Sequence, residues 1–337
     1  MPLHLADRHP EVPTERIIQG LVPPPRFANA SFETFRPDPA EPSQAAAVEV
    51  LRDFVTTLGE PPRGLFGRRK PRPGKPGIYL DGGYAVGKTH LLAATWHAAP
   101  KPAAYATFVE LTDLVGALGF QQTVQALSGH RLVAIDEFEL DDVGSTVLVS
   151  TLLARLVDAG VRVAATSNTL PVDLGRGRFN ADDFLREIQG MAAHFRPIDI
   201  HGEDYRQRGH PQAPTPLADD ELITAAETLP DATLDDFPAL VAHLRRLHPV
   251  RYGALLDGVA AVCMRGVTSV DDQADALRLV VLADRLYDRS IPVLTSGVPL
   301  DALFPEALLT GGYQKKYLRA ISRLTALSWD ALARTGS

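Results

Sequence analysis

The sequence predicts an α/β protein built around a parallel sheet. Short apolar runs alternate with longer segments of helical periodicity along most of the 337 residues. The runs are apolar on both faces, which is typical of strands that helices cover on each side. Such alternation predicts parallel strands joined by crossover helices. In the first half of the chain the predicted strands are residues 77–80, 103–109, 131–135 and 161–166.

The first predicted strand leads into a glycine-rich loop and then into an apolar helical segment. The loop consists of Gly82, Gly83, Tyr84, Ala85, Val86, Gly87, Lys88 and Thr89. It fits G-x-x-x-x-G-K-T, the P-loop pattern, in which backbone N–H groups and the positive end of the next helix hold an anion. Lys88 is predicted to reach the β- and γ-phosphates of ATP, and the Thr89 hydroxyl to ligate Mg²⁺. A glycine-rich hairpin that binds no nucleotide is the alternative.

A pair of carboxylates directly follows another apolar strand. Asp136 and Glu137 end the run that begins at Leu132, with Asp136 48 residues after Lys88. Phosphoryl transfer needs a metal-binding carboxylate and a group that orients the attacking water. We assign Asp136 to Mg²⁺ and Glu137 to the activation of water. Two solvated acids at a strand end are the alternative.

A third polar group follows the next strand, which leads into Ser167-Asn168. The Asn168 amide is predicted to contact the γ-phosphate or the attacking water and so to sense the nucleotide state, although Ser-Asn is also ordinary turn chemistry. Ligands of open α/β sheets bind at the carboxyl ends of strands. Three signals on three strand ends therefore predict a site that hydrolyses ATP. A kinase would share the P-loop and Asp136, but it explains Glu137 and Asn168 less well.

This combination resembles the AAA+ ATPases, and more of the chain resembles one family among them. The segments that carry the resemblance to the ZapE-type AAA+ ATPases are 136–138, 165–168, 171–174, 184–185, 204–206 and 285–288. That family comprises bacterial cell-division ATPases and mitochondrial relatives. The resemblance implies a P-loop NTPase (AAA+-like) fold: a three-layer parallel sheet with helical insertions and an additional C-terminal βαβ unit. It also implies a role in cell division with a cytoskeletal GTPase as the protein partner.

Arginine residues bear on a further expectation from this resemblance. AAA+ proteins act as oligomers in which an arginine of one subunit completes the next subunit's site, so a homo-oligomer is implied. The family's position for this arginine falls on Ala181 here, and Arg176, Arg178 and Arg186 lie nearby. We choose Arg178 as the finger, with Arg176 next; ordinary surface arginines are the alternative.

Two arginines near the C-terminus are candidate phosphate sensors. Arg319 and Arg323 lie one helical turn apart, where the family has an arginine-containing element. Surface charges on a terminal helix are the alternative.

The chain divides by composition and pattern into three parts. We predict an extended N-terminal segment (1–42), the P-loop ATPase core (43–207), and a helical segment plus C-terminal α/β region packed on the core (208–337). Ser43 is predicted to cap a helix. Residues 111–127 are predicted to form one helix.

A faint internal echo relates residues 131–167 to residues 260–296, with a shift of about 129 positions. Asp136 and Glu137 then fall on Arg265 and Gly266, so the second copy lacks the acidic pair. Two βαβ units of similar size explain this echo, and we favour that explanation. Residues 219–247, just before the second copy, are predicted to be mostly helical.

Composition and charge leave other functions open. The net charge of −7 gives no global basic field for nucleic acid or anionic membranes. The basic stretch 60–75 nevertheless leaves an ATP-switched nucleic-acid loader or transposition helper as an alternative. Leu91 and Leu92, just after the P-loop, also resemble the same segment of replication initiators and helicase loaders. A nucleotide-binding scaffold without hydrolysis is a third possibility. One cysteine, no signal-like N-terminus and no apolar run of about 20 residues predict a cytoplasmic protein without a membrane span.

Overall fold

A computed structural model describes residues 2–59, 74–83, 86–138, 143–168, 185–202 and 212–335. The chain forms two compact units: the first unit is Thr14–Arg208, and the second unit combines Met1–Pro13 with Gly209–Ser337. The strands of the first unit are β1 (Gly77–Gly82), β2 (Ala103–Thr107), β3 (Leu132–Asp136), β4 (Arg162–Thr166) and β5 (Phe195–Ile200). Its helices are α1 (Thr14–Gln19), α2 (Pro42–Thr56), α3 (Lys88–Ala98), α4 (Phe108–Leu118), α5 (Phe120–Leu127), α6 (Val143–Asp158) and α7 (Leu185–Ala193).

The first unit is a parallel five-stranded sheet between two helical layers. Its strand order is β2-β3-β4-β1-β5, and every pairing is parallel. Alternate side chains of each strand enter different cores: Ile78 and Leu80 pack with α2 and α3, whereas Tyr79 packs with α4 and α6. This three-layer arrangement confirms the predicted α/β fold class. It also brings the carboxyl ends of β1, β3 and β4 to one edge of the sheet.

Two local predictions for the first unit are wrong, and one strand was not predicted. Residues 111–127 form two helices because Gly119 adopts a φ of +84°, which ends α4 and begins α5. Ser43 lies inside α2, which begins at Pro42, and its Oγ accepts a hydrogen bond from the His201 backbone N–H at 2.9 Å. The edge strand β5 was not predicted, since its charged and proline residues give no apolar run.

The second unit contains a parallel three-stranded sheet. Its strands, in the order β6-β7-β8, are β6 (Ala232–Asp236), β7 (Ala261–Val267) and β8 (Val293–Gly297). Its helices are α8 (Asp219–Thr228), α9 (Phe237–Arg246), α10 (Tyr252–Leu255), α11 (Gln273–Asp288), α12 (Glu306–Leu309) and α13 (Gln314–Thr335). Residues 219–247, predicted as mostly helical, therefore contain a strand. Its short apolar part, Ala232-Thr233-Leu234, was too brief to separate from the helices on either side.

The N-terminal residues form part of the second unit. Leu3 makes a parallel β-bridge with Thr233, and Asp235 accepts hydrogen bonds from the backbone N–H groups of Leu5 and Ala6 at 3.0 and 2.9 Å. Leu5 is fully buried in the core of this unit. The unit is thus built from both ends of the chain.

His243 on α9 holds the same N-terminal stretch. Its Nε2 lies 2.9 Å from the backbone oxygen of Arg8, while its Nδ1 is buried and has no hydrogen-bond partner among the described residues. Burial lowers the pKa of His243, the Arg8 carbonyl and Asp235 act in the opposite direction, and the positive charges of His9 and Arg246 lower it further. The neutral imidazole, with its proton on Nε2, fits this environment.

The second sheet repeats the order of three strands of the first and the register of the first two; its third strand is offset by one residue, since Val262 pairs with Val293 whereas Val133 pairs with Val163. Ala232 pairs with Ala261, and these residues lie 129 positions after Ala103 and Leu132, which pair with each other. α8 precedes β6 and α9 follows it, as α3 and α4 flank β2. The likeness therefore extends beyond one βαβ unit, so two units of similar size do not fully account for it.

Cys263 is buried in β7, and desolvation raises the pKa of its thiol to about 12. None of the described helices has the length and apolar character that crossing a membrane requires.

Candidate nucleotide site

The glycine-rich loop follows β1 and leads into α3, as the P-loop pattern predicts. Gly82 has a φ of +149°, and a Cβ there would lie 2.1 Å from the backbone oxygen of Ile200. Gly87 has a φ of +90°, which side chains rarely adopt, and it is the residue directly before α3. Both positions therefore require glycine for backbone reasons. Tyr84 and Ala85, also predicted to line the phosphate site, lie outside the described residues.

Lys88 connects the loop to Asn168, the predicted sensor that follows β4. Its Nζ donates hydrogen bonds to the backbone oxygens of Gly82, at 2.7 Å, and Gly83, and to Oδ1 of Asn168 at 2.9 Å. Lys88 is only 8% exposed. An ammonium group buried this deeply needs acceptors for its protons. The structure thus brings Lys88 and Asn168, predicted from separate motifs, into direct contact.

Asp136 ends β3 and lies beside the first turn of α3. Its Oδ1 accepts hydrogen bonds from the Thr89 hydroxyl at 3.3 Å and from the Thr166 hydroxyl, and its Oδ2 accepts one from the Tyr105 hydroxyl at 2.9 Å. The carboxylate is 6% exposed. Three hydroxyl groups therefore fix the orientation of a nearly buried carboxylate.

The oxygen atoms of Thr89 and Asp136 fit the requirements of Mg²⁺. Mg²⁺ prefers oxygen ligands and is usually bound by one or two protein groups together with water and substrate phosphates. Among the described residues, no group of three or more His, Cys, Asp or Glu side chains is arranged to hold a metal ion.

Glu137 follows Asp136 in an unusual backbone conformation. Its φ is +52°, in the left-handed region that residues with a side chain seldom adopt. Its backbone N–H donates to the Thr166 hydroxyl at 3.1 Å, and the next N–H, that of Phe138, donates to the Thr166 carbonyl at 2.7 Å. Thr166 thus accepts hydrogen bonds from both backbone amides that directly follow Asp136.

The N-terminal segment of the first unit packs against the loop. A Cβ on Gly87 would lie 2.5 Å from the ring of Phe35. The His90 ring lies 5.7 Å from the Phe35 ring, and its Nε2 is 3.1 Å from both the Thr34 hydroxyl and the Ser31 carbonyl. The prediction of an extended segment did not include these contacts with the loop. The paired aromatic residues Phe32 and Phe35 were the signal for them.

Gln44 ties the same segment to the end of β5. Its Oε1 accepts from the Asp38 backbone N–H, and its Nε2 donates to the His201 carbonyl, both at 2.9 Å. A Cβ on Gly202 would lie 2.9 Å from Val86 and 3.0 Å from Gln44. The N-terminal segment and the end of β5 therefore both lie against the glycine-rich loop.

The candidate finger arginines lie where the structure gives no side-chain description. Ala181, Arg176 and Arg178 lie outside the described residues, as does the side chain of Arg186. The finger assignment therefore stays a prediction.

Arg319 and Arg323 on α13 form ion pairs with Asp284 on α11. Burial alone would raise the pKa of Asp284, but the two guanidinium groups hold it below its ordinary value. Both arginines are less than 20% exposed, at 18% and 16%. They form a partly buried ion-pair cluster between two helices rather than exposed surface charges, and their role as phosphate sensors stays a prediction.

A parallel sheet with a P-loop at one strand end, and carboxylate and amide groups at the neighbouring ends, defines a P-loop nucleotide-binding protein. The AFG1-like ATPase family profile matches residues 11–229 and 223–335. The chain belongs to the AFG1-like ATPase family. This membership confirms the resemblance to the ZapE-type AAA+ ATPases.

Individual relatives agree with this membership. Cell division protein ZapE of Escherichia coli K12 is 24% identical over 364 residues, which cover 91% of this chain and 96% of ZapE. An uncharacterised Schizosaccharomyces pombe protein is 28% identical over 174 residues, or 44% of this chain and 38% of that protein.

Solved structures that match parts of the chain include DnaA and DnaI. The replication initiator DnaA bound to AMPPCP and single-stranded DNA is 12% identical over 91% of each chain, with a TM-score of 0.40. DnaI is 18% identical over 52% of this chain and 94% of its own, also with a TM-score of 0.40.

Proposed function

We propose that this chain hydrolyses ATP with Mg²⁺ and uses the reaction to change the conformation of a protein partner in cell division. The observation that carries the proposal is the convergence of Lys88, Thr89, Asp136, Glu137 and Asn168 at one edge of the sheet, where open α/β sheets bind ligands. Family membership supports the choice of ATP. The relationship to ZapE supports the choice of process.

Each residue has a distinct task in this proposal. The loop N–H groups and Lys88 bind the phosphates, and Thr89 with Asp136 would hold Mg²⁺. The chemistry that Mg²⁺ supplies when bound is neutralisation of charge on the β- and γ-phosphates. Glu137 orients a water molecule and accepts its proton as the water oxygen attacks the γ-phosphorus. The bond between the γ-phosphorus and the bridging oxygen breaks, and ADP leaves while Asn168 contacts the γ-phosphate.

Two substitutions test the site directly. Glu137→Gln removes the proton acceptor but keeps the shape of the side chain, so we expect ATP binding without phosphate release. Lys88→Ala removes the phosphate-binding ammonium, so both binding and turnover should be lost. Glu227→Gln, a change of the same kind at an exposed position on α8 in the second unit, serves as the control. Normal hydrolysis by Glu137→Gln would contradict the proposed base, and tight ATP binding by Lys88→Ala would contradict the P-loop assignment.

The same measurements address the scaffold alternative. A nucleotide-binding scaffold would bind ATP in a Lys88-dependent way and release no phosphate. Wild-type phosphate release that depends on both Lys88 and Glu137 would exclude it.

The proposal includes a homo-oligomer in which an arginine of one subunit, Arg178, completes the site of the next. An arginine finger is worth roughly 10³–10⁵ in rate. Arg178→Ala should therefore lower turnover steeply without lowering ATP affinity, and mixing it with Glu137→Gln protein should restore some activity through mixed interfaces. If Arg178→Ala is fully active and Arg176→Ala is not, the assignment moves to Arg176.

The proposed partner is a cytoskeletal GTPase of the cell-division machinery, reached from the cytoplasm. Glu137→Gln protein loaded with ATP should hold the partner that the wild-type enzyme releases on hydrolysis. Capture of a purified division GTPase by Glu137→Gln, but not by Lys88→Ala, would support this choice. Equal capture by both would show that binding does not follow the nucleotide.

A nucleic-acid loader remains the second candidate because of the basic stretch 60–75, most of which lies outside the described residues. Neutralising Arg68, Arg69 and Lys70 should then abolish a salt-dependent affinity for DNA. No DNA binding at low salt would remove this candidate.

A further inference from the structure

The Thr166 side chain contacts both residues of the acidic pair. It ends β4, is 2% exposed, and its single hydroxyl donates to Asp136 Oδ1 while accepting from the Glu137 backbone N–H at 3.1 Å. One hydroxyl can donate one hydrogen bond and still accept another, so both contacts can exist together.

Thr166 also holds the strained turn that carries Glu137. A residue with a side chain persists at a φ such as the +52° of Glu137 only when its surroundings determine the conformation. The Thr166 hydroxyl accepts the Glu137 N–H, and the Thr166 carbonyl accepts the Phe138 N–H at 2.7 Å. Two successive amides of the turn are therefore fixed by one residue of the neighbouring strand.

We propose that Thr166 is the positioning residue that fixes the metal-binding carboxylate of Asp136 and the water-activating carboxylate of Glu137 relative to each other. The inference rests on the proposed function. A donor on Oδ1 limits the orientations of the Asp136 carboxylate, and an acceptor for the Glu137 amide sets where the next side chain starts. Partners of this kind typically change metal affinity or activity by about 10–100-fold when they are removed.

The second unit shows which of these contacts recurs elsewhere in the fold and which occurs only at the candidate site. Gly266, 129 positions after Glu137, has a φ of +66° and donates its N–H to the Ser296 hydroxyl on β8 at 2.9 Å. A positive-φ amide that donates to a hydroxyl of the next strand therefore recurs, although Gly266 lies inside β7 at a register irregularity and Glu137 follows β3. The contact with a strand-end carboxylate is not repeated, because Arg265 stands where Asp136 is, and Ser296 donates to Asp219 instead.

Three variants of the full chain test the proposal. Thr166→Val keeps the shape of the side chain and removes the hydroxyl. Thr166→Ser keeps the hydroxyl and removes the methyl group. Ser296→Ala deletes the hydroxyl that accepts the Gly266 amide in the second unit and is the matched control.

Two measurements are needed. Calorimetry gives the affinity for ADP with Mg²⁺ and with EDTA, and phosphate release gives kcat and KM for ATP. For Thr166→Val we expect the gain in ADP affinity on adding Mg²⁺ to shrink by about 10–100-fold, and kcat to fall by a similar factor. The affinity in EDTA should stay unchanged. Thr166→Ser should restore both values, and Ser296→Ala should change neither.

Several results would overturn the proposal. They are wild-type kcat and metal dependence in Thr166→Val, a Thr166→Ser variant as impaired as Thr166→Val, or an equal loss in Ser296→Ala. If Thr166→Val does not fold, Tyr105→Phe removes the partner of Asp136 Oδ2 alone. It should weaken the Mg²⁺ effect and spare kcat at saturating Mg²⁺, and an equal loss of kcat would contradict a separate role for the turn. If wild-type protein releases no phosphate that depends on Lys88, the proposed function fails, and this inference fails with it.

Discussion

Substitution of Gly87 can measure how strongly the N-terminal segment of the first unit packs against the P-loop. The substitution Gly87→Ala has two costs. A residue with a Cβ in left-handed backbone costs about 1–2 kcal/mol, and Gly87 has a φ of +90°. The new Cβ would also lie 2.5 Å from Phe35, and overpacking of this kind costs about 1–3 kcal/mol. We therefore expect Gly87→Ala to lower the free energy of unfolding of the first unit by about 2–5 kcal/mol.

Phe35→Ala separates the two costs. In a Phe35→Ala background the ring is gone, so Gly87→Ala should cost only the backbone share, about 1–2 kcal/mol. The difference between the two backgrounds is the coupling energy between Gly87 and Phe35, which a double-mutant cycle isolates. We expect about 1–3 kcal/mol for this coupling.

Tryptophan fluorescence can report the first unit alone. The chain has two tryptophans, Trp96 on α3 and Trp329 on α13. All variants would be made in a Trp329→Phe background, because two units need not unfold in one transition. Urea unfolding followed by Trp96 then gives the required free energies. An equal cost of Gly87→Ala in both backgrounds would refute the contact with Phe35, and a cost near zero would refute the backbone argument as well.

Three further expectations concern the second unit. Calorimetry should find one nucleotide per chain, and Lys88→Ala should abolish its binding. The second unit should bind none, because Leu217 stands 129 positions after Lys88 and the negative charge of Asp219 begins α8, where a phosphate would be repelled. A second site that does not depend on Lys88 would contradict this. The thiol of Cys263 should react with a disulfide reagent only after unfolding, and the free energy of unfolding should fall above pH 9, because the unfolded thiol ionises from about 9.0 and the folded thiol only from about 12; fast labelling of native protein would contradict the burial. Burial lowers the pKa of His243 below 6.5, so the unfolded state binds more protons as the pH falls through 6.5; wild-type stability should fall there more than that of His243→Gln, and parallel pH curves would show that His243 is not responsible.

The sequence was sufficient to predict the sheet edge that carries the site. A P-loop, an acidic pair and an asparagine each follow an apolar run, and parallel strands place their carboxyl ends together. The structure brings Lys88 to Asn168 and Thr89 to Asp136, as this reasoning requires. The chemical roles of these residues stay predictions until they are measured.

The residues that sequence reasoning missed are those whose meaning depends on pairing between distant segments. Tyr105 lies within an apolar strand and would ordinarily be a core residue, and Thr166 ends another such strand. Their hydroxyl groups acquire a role only because β2 and β4 both lie beside β3 in parallel register. Phe35 meets Gly87 across more than fifty residues of sequence. No local pattern contains the strand order that creates these contacts.

The repeated backbone conformation gives an independent reason to regard Glu137 as a functional residue. Two sites of the same chain, 129 positions apart, place a positive-φ residue at or just after the carboxyl end of a strand and pair its amide with a hydroxyl of the next strand; Glu137 follows β3, and Gly266 lies near the end of β7. The second unit uses Gly266, which adopts this conformation without strain. The first unit uses Glu137, at a cost of about 1–2 kcal/mol for a residue with a Cβ. Because glycine can adopt this backbone conformation without strain, the energetic cost at Glu137 is explained by a need for its carboxylate. This supports Glu137 as the group that activates water.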